Sequence, residues 1–463
     1  MPQDWSFGVN NVFVNRTLNM KKISHIGLDM DHTLVRYNSE RFEALAYRAM
    51  QTKLVKNQGY PKEVLDLKFN FNRAVRGLVI DKRRGNIIKL SRFAAIRTIY
   101  HGLQPVPFKH QRDLYSSSYI DMREPDFDTV DTAFSISFAT LYAQMVDLKD
   151  SPLGFKLPDY VTIAHDLNVV LDQAHRDGSL KDVVKENLAE YILQDPETVA
   201  GLERYKRHGK KVFIVTNAEY SYTKTLLDYT INPYLKDHKH WSELFTYVIT
   251  YAQKPKFFFD QRPFMVINPE TDAMTELTEK LTPGIYQGGN AKQFTQDLDL
   301  DMDEILYIGD HIYGDIVRLK KSSGWRTAMV IEELDHEVEN AKKALPFSTE
   351  IEALMAKKMP LEIQLDSLIT DQIDRGVKEA DPAIDNLHAQ ISELDKKLSP
   401  LIQKQNELYN PHWGEIMRVG QEESYFAYQV ERFACVYMAK LMDLLQISPR
   451  TYYRSHRRKM PHE

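Results

Sequence analysis

Ile23-Ser24-His25-Ile26-Gly27-Leu28-Asp29-Met30-Asp31-His32-Thr33-Leu34 is the stretch on which the fold turns. Residues 23–28 read as a strand buried on both faces, and they run directly into two acids one residue apart. In a loop that follows a strand, two such acids point different ways. One carboxylate can then attack a phosphorus atom while the other manages the leaving group's proton. Taken alone, the Asp-x-Asp pair reads equally well as a turn or a helix cap.

Three more short β-branched and apolar runs stand apart from their polar surroundings, at 211–215, 305–308 and 327–331, and a further strand candidate spans 247–251. Helical patterning follows at 221–227 and 316–321. That order predicts an open, largely parallel α/β sheet whose ligands gather beyond the carboxyl ends of the strands. Polar residues stand at those ends. Ile214-Val215-Thr216-Asn217 offers a hydroxyl and backbone N–H groups for phosphate oxygens, with a plain helix cap as the alternative. Lys254-Pro255-Lys256 places an ammonium group after 247–251, able to neutralise charge on a transferring phosphoryl group or to serve as surface charge. Ile308-Gly309-Asp310-His311-Ile312-Tyr313-Gly314-Asp315 ends a strand in two spaced carboxylates, which suit a hard, oxygen-seeking cation.

The 463 residues exceed one compact core. Residues 38–205, too long for a simple crossover, read as an inserted cap, mainly helical, with turns at Gly77, Gly85 and Gly178. Residues 1–37 and 206–345 then form the catalytic core, and 346–463 a helical carboxyl-terminal region suited to oligomerisation or regulation. Ile384, Leu387, Ile391, Leu394, Leu398 and Leu401 mark a heptad seam, with a turn or kink expected near Pro400. The seam reads as a helical hairpin on its own subunit or as a coiled coil between subunits.

A net charge of -5 provides no overall field for nucleic acid or an anionic membrane. Cys435 is the only cysteine, so neither an intrachain disulfide nor a thiolate metal cluster can form. Residues 1–17 lack the features of a signal peptide, and no apolar run is long enough to cross a bilayer. The expectation is a cytoplasmic protein without nucleic-acid or membrane partners.

The four motifs, in this order, resemble the haloacid dehalogenase superfamily, whose pattern is DxDxT, then Thr or Ser, then Lys, then an acidic GDxxxD. The resemblance implies a Rossmann-like α/β core and a Mg2+-dependent phosphatase with Asp29 as nucleophile, passing through an aspartyl phosphate. Asp31 is the implied acid and base. Magnesium would lie between Asp29, the backbone carbonyl of Asp31, and Asp310, with Asp315 holding its water shell. Thr216, Asn217 and Lys254 would cradle the phosphate.

A closer resemblance covers nearly the whole chain. Arg76-Gly77-Leu78-Val79, Gly85-Asn86, Gly178-Ser179-Leu180-Lys181, Val215-Thr216-Asn217, Lys254-Pro255, Gly309-Asp310-His311-Ile312-Tyr313-Gly314-Asp315, Gly324-Trp325-Arg326-Thr327 and Met460-Pro461-His462-Glu463 carry it. They resemble the cytosolic purine 5'-nucleotidases that prefer IMP and GMP. That family implies base contacts by Asp172 and Lys181, an acceptor and a cation suited to the edge of a 6-oxopurine. His175 lies on the same segment and, with Arg176, reads equally as an exposed helix face. Asn168 stands where the family tends to carry an arginine, and Ala218-Glu219 where it carries Ser-Asp, which leaves IMP and GMP equal candidates. The family also implies a homo-oligomer (dimer or tetramer), a purine nucleotide effector, and phosphate transfer to nucleosides as well as water. Gln429 and Arg432 lie in a stretch similar to the effector-associated region. The basic tail with Arg454, Arg457, Arg458 and Lys459 reads as solvated surface. Two other readings compete: a phosphatase of another small phosphate ester, such as a sugar phosphate, and a catalytically silent nucleotide-binding scaffold.

Overall fold

The computed structural model describes residues 8–9, 11–115, 119–376, 381–457 and 460. Residues 1–7 and 10 of the amino-terminal stretch, and Arg458, Lys459, Pro461, His462 and Glu463 of the tail strings, lie outside them. By contacts the chain divides into one unit of residues 1–332 and 416–463 and a second of residues 333–415.

In the first unit an eleven-stranded sheet forms the centre. Its parallel part runs, in spatial order, Val436–Met438, Arg326–Val330, Ile305–Gly309, His25–Leu28, Lys211–Val215, Tyr247–Thr250 and Gly284–Gly288. Antiparallel strands close both edges. The expected Rossmann-like α/β core is therefore present, and the five strands read from the sequence are all in it. All four residues of His25–Leu28 are buried, and each large apolar side chain so buried contributes about 1.5–3 kcal/mol. Gly27 pairs with Phe213 on one side and Tyr307 on the other. A Cβ there would stand 2.5 Å from the Phe213 ring and 2.7 Å from that of Tyr307. Only glycine lets both rings close over the central strand.

The insertion contains helices Ser39–Asn57, Ile136–Asp150 and Tyr160–Arg176. It also holds a five-stranded antiparallel sheet absent from the sequence reading, in the order Phe127–Thr129, Val79–Asp81, Asn86–Leu90, Ile96–His101, Gln104–Pro105. These strands are short and carry Arg97 and Lys89 among their apolar residues, so no period of two stands out. The turns at Gly77 and Gly85 have φ of +87° and +70°. Tyr160–Arg176 begins at Asp159, whose carboxylate accepts the Thr162 N–H at 2.8 Å. Ile163, Ala164, Leu167, Val170 and Ala174 form its buried stripe. Asn168, Asp172 and His175, at spacings of four and three, fall on another face.

The carboxyl-terminal boundary differs from the expected 346–463. Residues 416–463 belong with the core, because Val436–Met438 extends the parallel sheet beside Arg326–Val330. Taken alone, the second unit is an antiparallel hairpin of Leu334–Asp374 and Pro382–Asn406. Lys358 pairs with Asp395 at 2.6 Å, and the Asn340 amide donates to the Leu408 carbonyl at 2.7 Å. Leu387 and Leu398 of the seam are buried. Pro400 sits inside the helix, which continues to Asn406. Among the described residues, no helix is long and apolar enough to cross a membrane.

Candidate active site

Four strand exits meet at the carboxyl edge of the parallel sheet. The Asp29 N–H donates to the Ile308 carbonyl at 2.8 Å, so the first acid is still tied to the neighbouring strand, and its carboxylate accepts the Met30 N–H at 2.7 Å. Beyond Tyr247–Thr250 the chain turns back onto the Thr216 loop. The Tyr251 N–H donates to the Ala218 carbonyl at 2.7 Å and the Ala252 N–H to the Thr216 carbonyl at 3.0 Å. The Asn217 amide then fixes the next peptide, accepting the Lys254 N–H at 2.5 Å and donating to the Lys254 carbonyl at 3.1 Å. The side chain of Asn217, expected on phosphate, is thus engaged in positioning Lys254.

Lys254 sits where the exits converge. Its Nζ lies 2.6 Å from Asp29 Oδ1 and 2.8 Å from Asp315 Oδ1, and donates to the Tyr307 hydroxyl at 3.0 Å. Tyr307 in turn donates to the Val215 carbonyl at 3.0 Å. Asp29, Asp310 and Asp315 each bring one carboxylate oxygen within 4.8 Å of the others, and all three are buried. A hard divalent cation fits such an all-oxygen set. Asp315, expected to hold the water shell, lies inside this triad. A Cβ on Gly309 would stand 2.4 Å from its carboxylate, so Gly309 makes room for it. Asp31 points elsewhere, accepting the Tyr37 hydroxyl at 2.6 Å, and Tyr37 lies 3.1 Å from the Tyr222 hydroxyl. Thr216 is fully buried, its hydroxyl oxygen accepting the Ala218 N–H at 3.0 Å. Its own proton remains available for a ligand.

Burial and charge decide the protonation of these groups. Burial pushes Asp29 well above the usual aspartate range; Lys254 opposes that, and Asp315, Asp310 and Asp31 reinforce it. Burial also raises Asp31 against the Tyr37 hydrogen bond, and pushes Asp310 up to about 6 against His32 and Arg76. For Lys254 burial alone would lower the pKa, but Asp29 and Asp315 outweigh it and hold the ammonium charged. Four carboxylates face few cations here, and a divalent ion would relieve that surplus.

The base-end candidates are arranged more loosely. Lys181 reaches toward the catalytic end, its Nζ 3.2 Å from Glu219 and 5.5 Å from the centre of the Tyr222 ring. His175 lies 5.7 Å from the Phe134 ring, and Phe134 lies 4.5 Å from the ring of His32. Burial, with Lys181 adding, pushes His175 down to about 4, so it is neutral at pH 7. Asp172 is exposed and pairs with Arg176 at 3.5 Å, one turn along its own helix. The Asn168 amide donates to the Ala164 carbonyl at 3.2 Å, and the residue lines a depression of about 270 Å³ with Asp128, Thr129 and Ser135. Away from this site, the Gln429 amide donates to the Tyr313 hydroxyl and Arg432 to the Tyr428 hydroxyl, each at 3.0 Å. Arg454 and Arg457 are exposed.

Tyr37, Tyr222 and Tyr307 were not foreseen as site residues. Each reads locally as one more apolar aromatic, and only the contacts made in the folded chain give its hydroxyl a role.

The model of the 5' nucleotidase family matches residues 12–463. A 5'-nucleotidase domain-containing protein of Dictyostelium discoideum is 28% identical over 461 residues, covering 98% of this chain and 75% of that protein. The 5'-nucleotidase domain-containing protein 2 of Homo sapiens is 26% identical, covering 94% of this chain and 81% of the human one. Among solved structures, a putative haloacid dehalogenase-like hydrolase from Bacteroides fragilis aligns with a TM-score of 0.27 at 13% identity, over 66% of this chain and 87% of its own. A putative hydrolase of the same class from Bacillus subtilis, bound to magnesium, aligns with a TM-score of 0.22 at 13% identity, over 66% and 88%.

Proposed function

This chain belongs to the 5' nucleotidase family, is a phosphoric monoester hydrolase, and on that premise we propose that it hydrolyses purine nucleoside 5'-monophosphates with Mg2+. The observation that carries the proposal is the meeting of Asp29, Lys254, Asp310 and Asp315, drawn from three separate strand exits. In this reading the Asp29 carboxylate attacks phosphorus in line, the ester P–O bond breaks, and the phosphoryl group passes to Asp29. Asp31 gives its proton to the departing ribose 5'-oxygen and then takes one from the water that releases phosphate. Its raised pKa, with Tyr37 holding the carboxyl group, supports that double role. Lys254 and the Thr216 hydroxyl hold the phosphoryl oxygens. Asp29, Asp310 and the Asp31 backbone carbonyl would hold Mg2+, with Asp315 beside it; the ion supplies charge neutralisation at the phosphoryl oxygens.

The aromatic wall of Phe134 and His175, with Lys181 beside Tyr222, supports a planar base beyond the phosphate end. Asp172 and Asn168 lie further along the same helix and would read the base edge. Transfer of the phosphoryl group to a nucleoside in place of water belongs to the same proposal. So do a cytoplasmic location, supported by a buried lone Cys435, a homo-oligomer, and a purine nucleotide effector. Purified protein with Mg2+ is expected to release phosphate from IMP or GMP faster than from sugar phosphates. A panel in which no purine nucleotide is hydrolysed would overturn the proposal.

A further inference from the structure

We propose that Arg76, supplied by the insertion, is a positioning residue for the metal-binding carboxylate of Asp310. The inference rests on the metal reading of the acidic triad given above. Arg76 is 2% exposed and lies beneath the end of the strand Ile305–Gly309. Its Nη1 donates to the Asp310 backbone carbonyl at 2.9 Å and stands 3.8 Å from Asp310 Oδ2. The first contact is a hydrogen bond; the second is too long for one and acts through charge. One guanidinium therefore restrains both the peptide that carries the Asp310 side chain and the carboxylate itself. Thr132, also from the insertion, adds a weak hydroxyl contact to Asp310 Oδ2 at 3.4 Å.

Charge gives the same answer. Asp29, Asp310 and Asp315 bring three carboxylates to one buried place, with Lys254 in ion-pair reach of Asp29 and Asp315 and Arg76 3.8 Å from Asp310. Lys254 neutralises the Asp29 and Asp315 side, while Arg76, together with His32, faces Asp310. A planar guanidinium suits this position because it can address a carbonyl and a carboxylate together, which a lysine cannot do with the same geometry. The backbone beneath it is also fixed. The Gly77 N–H donates to the Val130 carbonyl at 2.7 Å, and at φ +87° a Cβ on Gly77 would lie 2.5 Å from Phe426 Cβ. The insertion thus braces the metal end of the core as well as carrying the base-end helix. Groups that orient a metal ligand are typically worth about 10–100-fold in metal affinity.

The test is a magnesium titration followed by thermal unfolding, for wild type, Arg76→Gln and Arg76→Lys. The half-saturating concentration (Kd) is fitted from the growth of the stabilisation as ln(1 + c/Kd), where c is the free Mg2+ concentration. The inference expects half-saturation to rise about tenfold or more in R76Q, with R76K between the two. A residue that only supports the fold would lower the metal-free Tm and leave half-saturation where it was. That result in R76Q, with a responsive wild type, overturns the role of Arg76 alone. A wild type with no magnesium response overturns the metal reading and this inference together. Should R76Q not fold, R76K decides by the same readout: a raised half-saturation supports the role, and an unchanged one removes it.

Discussion

The proposed phosphate end and the proposed base end of the site are built to different rules. At the carboxyl edge of the sheet, Asp29, Lys254, Asp315 and Tyr307 are buried and bonded to one another across separate strands. On the helix Tyr160–Arg176, Asp172 and Asn168 are exposed; Asp172 pairs with Arg176 and the Asn168 amide donates to the Ala164 carbonyl, each one turn away on the same helix. Burial makes each charge at the first end depend on its partners, so a single loss propagates. Exposure at the second end leaves side chains screened by water and nearly independent. On the proposed function, reaction chemistry falls to the buried end and substrate preference to the exposed side chains.

Breaking the buried end should have the largest effect. Asp29→Asn is expected to reduce kcat by about 10⁴-fold or more while the protein still unfolds cooperatively, measured as phosphate release beside a thermal melt. Lys254→Met should cost about 10²–10³-fold in kcat. It should also lower Tm, because Asp29 and Asp315 lose their buried counter-charge, so both readouts must move.

Glu43 sharpens the comparison by asking whether the interior of the insertion obeys the same electrostatics. Its carboxylate accepts the Ser137 N–H at 2.5 Å, while Oε1 has no hydrogen-bond partner. Burial pushes its pKa from 4.5 up to about 7. A carboxyl group raised in the folded state disfavours its own ionisation, so stability falls as pH rises from 4.5 through about 7 and then levels off. Glu43→Gln should gain on the order of 2 kcal/mol over wild type at pH 8 and nothing at pH 4, by denaturant unfolding. Equal gains at both pH values would remove the electrostatic cause.

The proposed base end should respond least. Lys181→Met is expected to raise KM for a purine nucleotide by about tenfold, with kcat changed only a few-fold, and to leave a sugar phosphate nearly unaffected. Asp172→Ala should change KM by about two- to five-fold. If either variant lowered kcat as far as Lys254→Met does, the division between the two ends would be wrong.

The same contrast decides what could be read from sequence. The core strands were legible because they are short β-branched runs that end at or just before acids, hydroxyl groups or a lysine, although their order along the chain is not their order in the sheet. Asp29, Thr216, Lys254 and Asp310 each stood at such an end. Arg76 was visible only as part of a family-like string, since nothing near it in sequence points to Asp310, 234 positions away. Tyr37 and Tyr222 acquire a role through a contact spanning 185 positions. Val436–Met438 is too short to announce a strand, and it earns its place by pairing with Arg326–Val330. Local pattern reveals which residues leave a buried strand, whereas long-range packing determines which of their neighbours hold them.

The central claim is that Asp29 itself receives the phosphoryl group. Wild-type protein mixed with Mg2+ and IMP or GMP, quenched rapidly in acid and digested, can be read by mass spectrometry of the peptide that contains residues 29–31. The account predicts one phosphoryl group on Asp29 during turnover, absent from Asp29→Asn; rapid turnover with substantial label on another residue and none on Asp29 would contradict it.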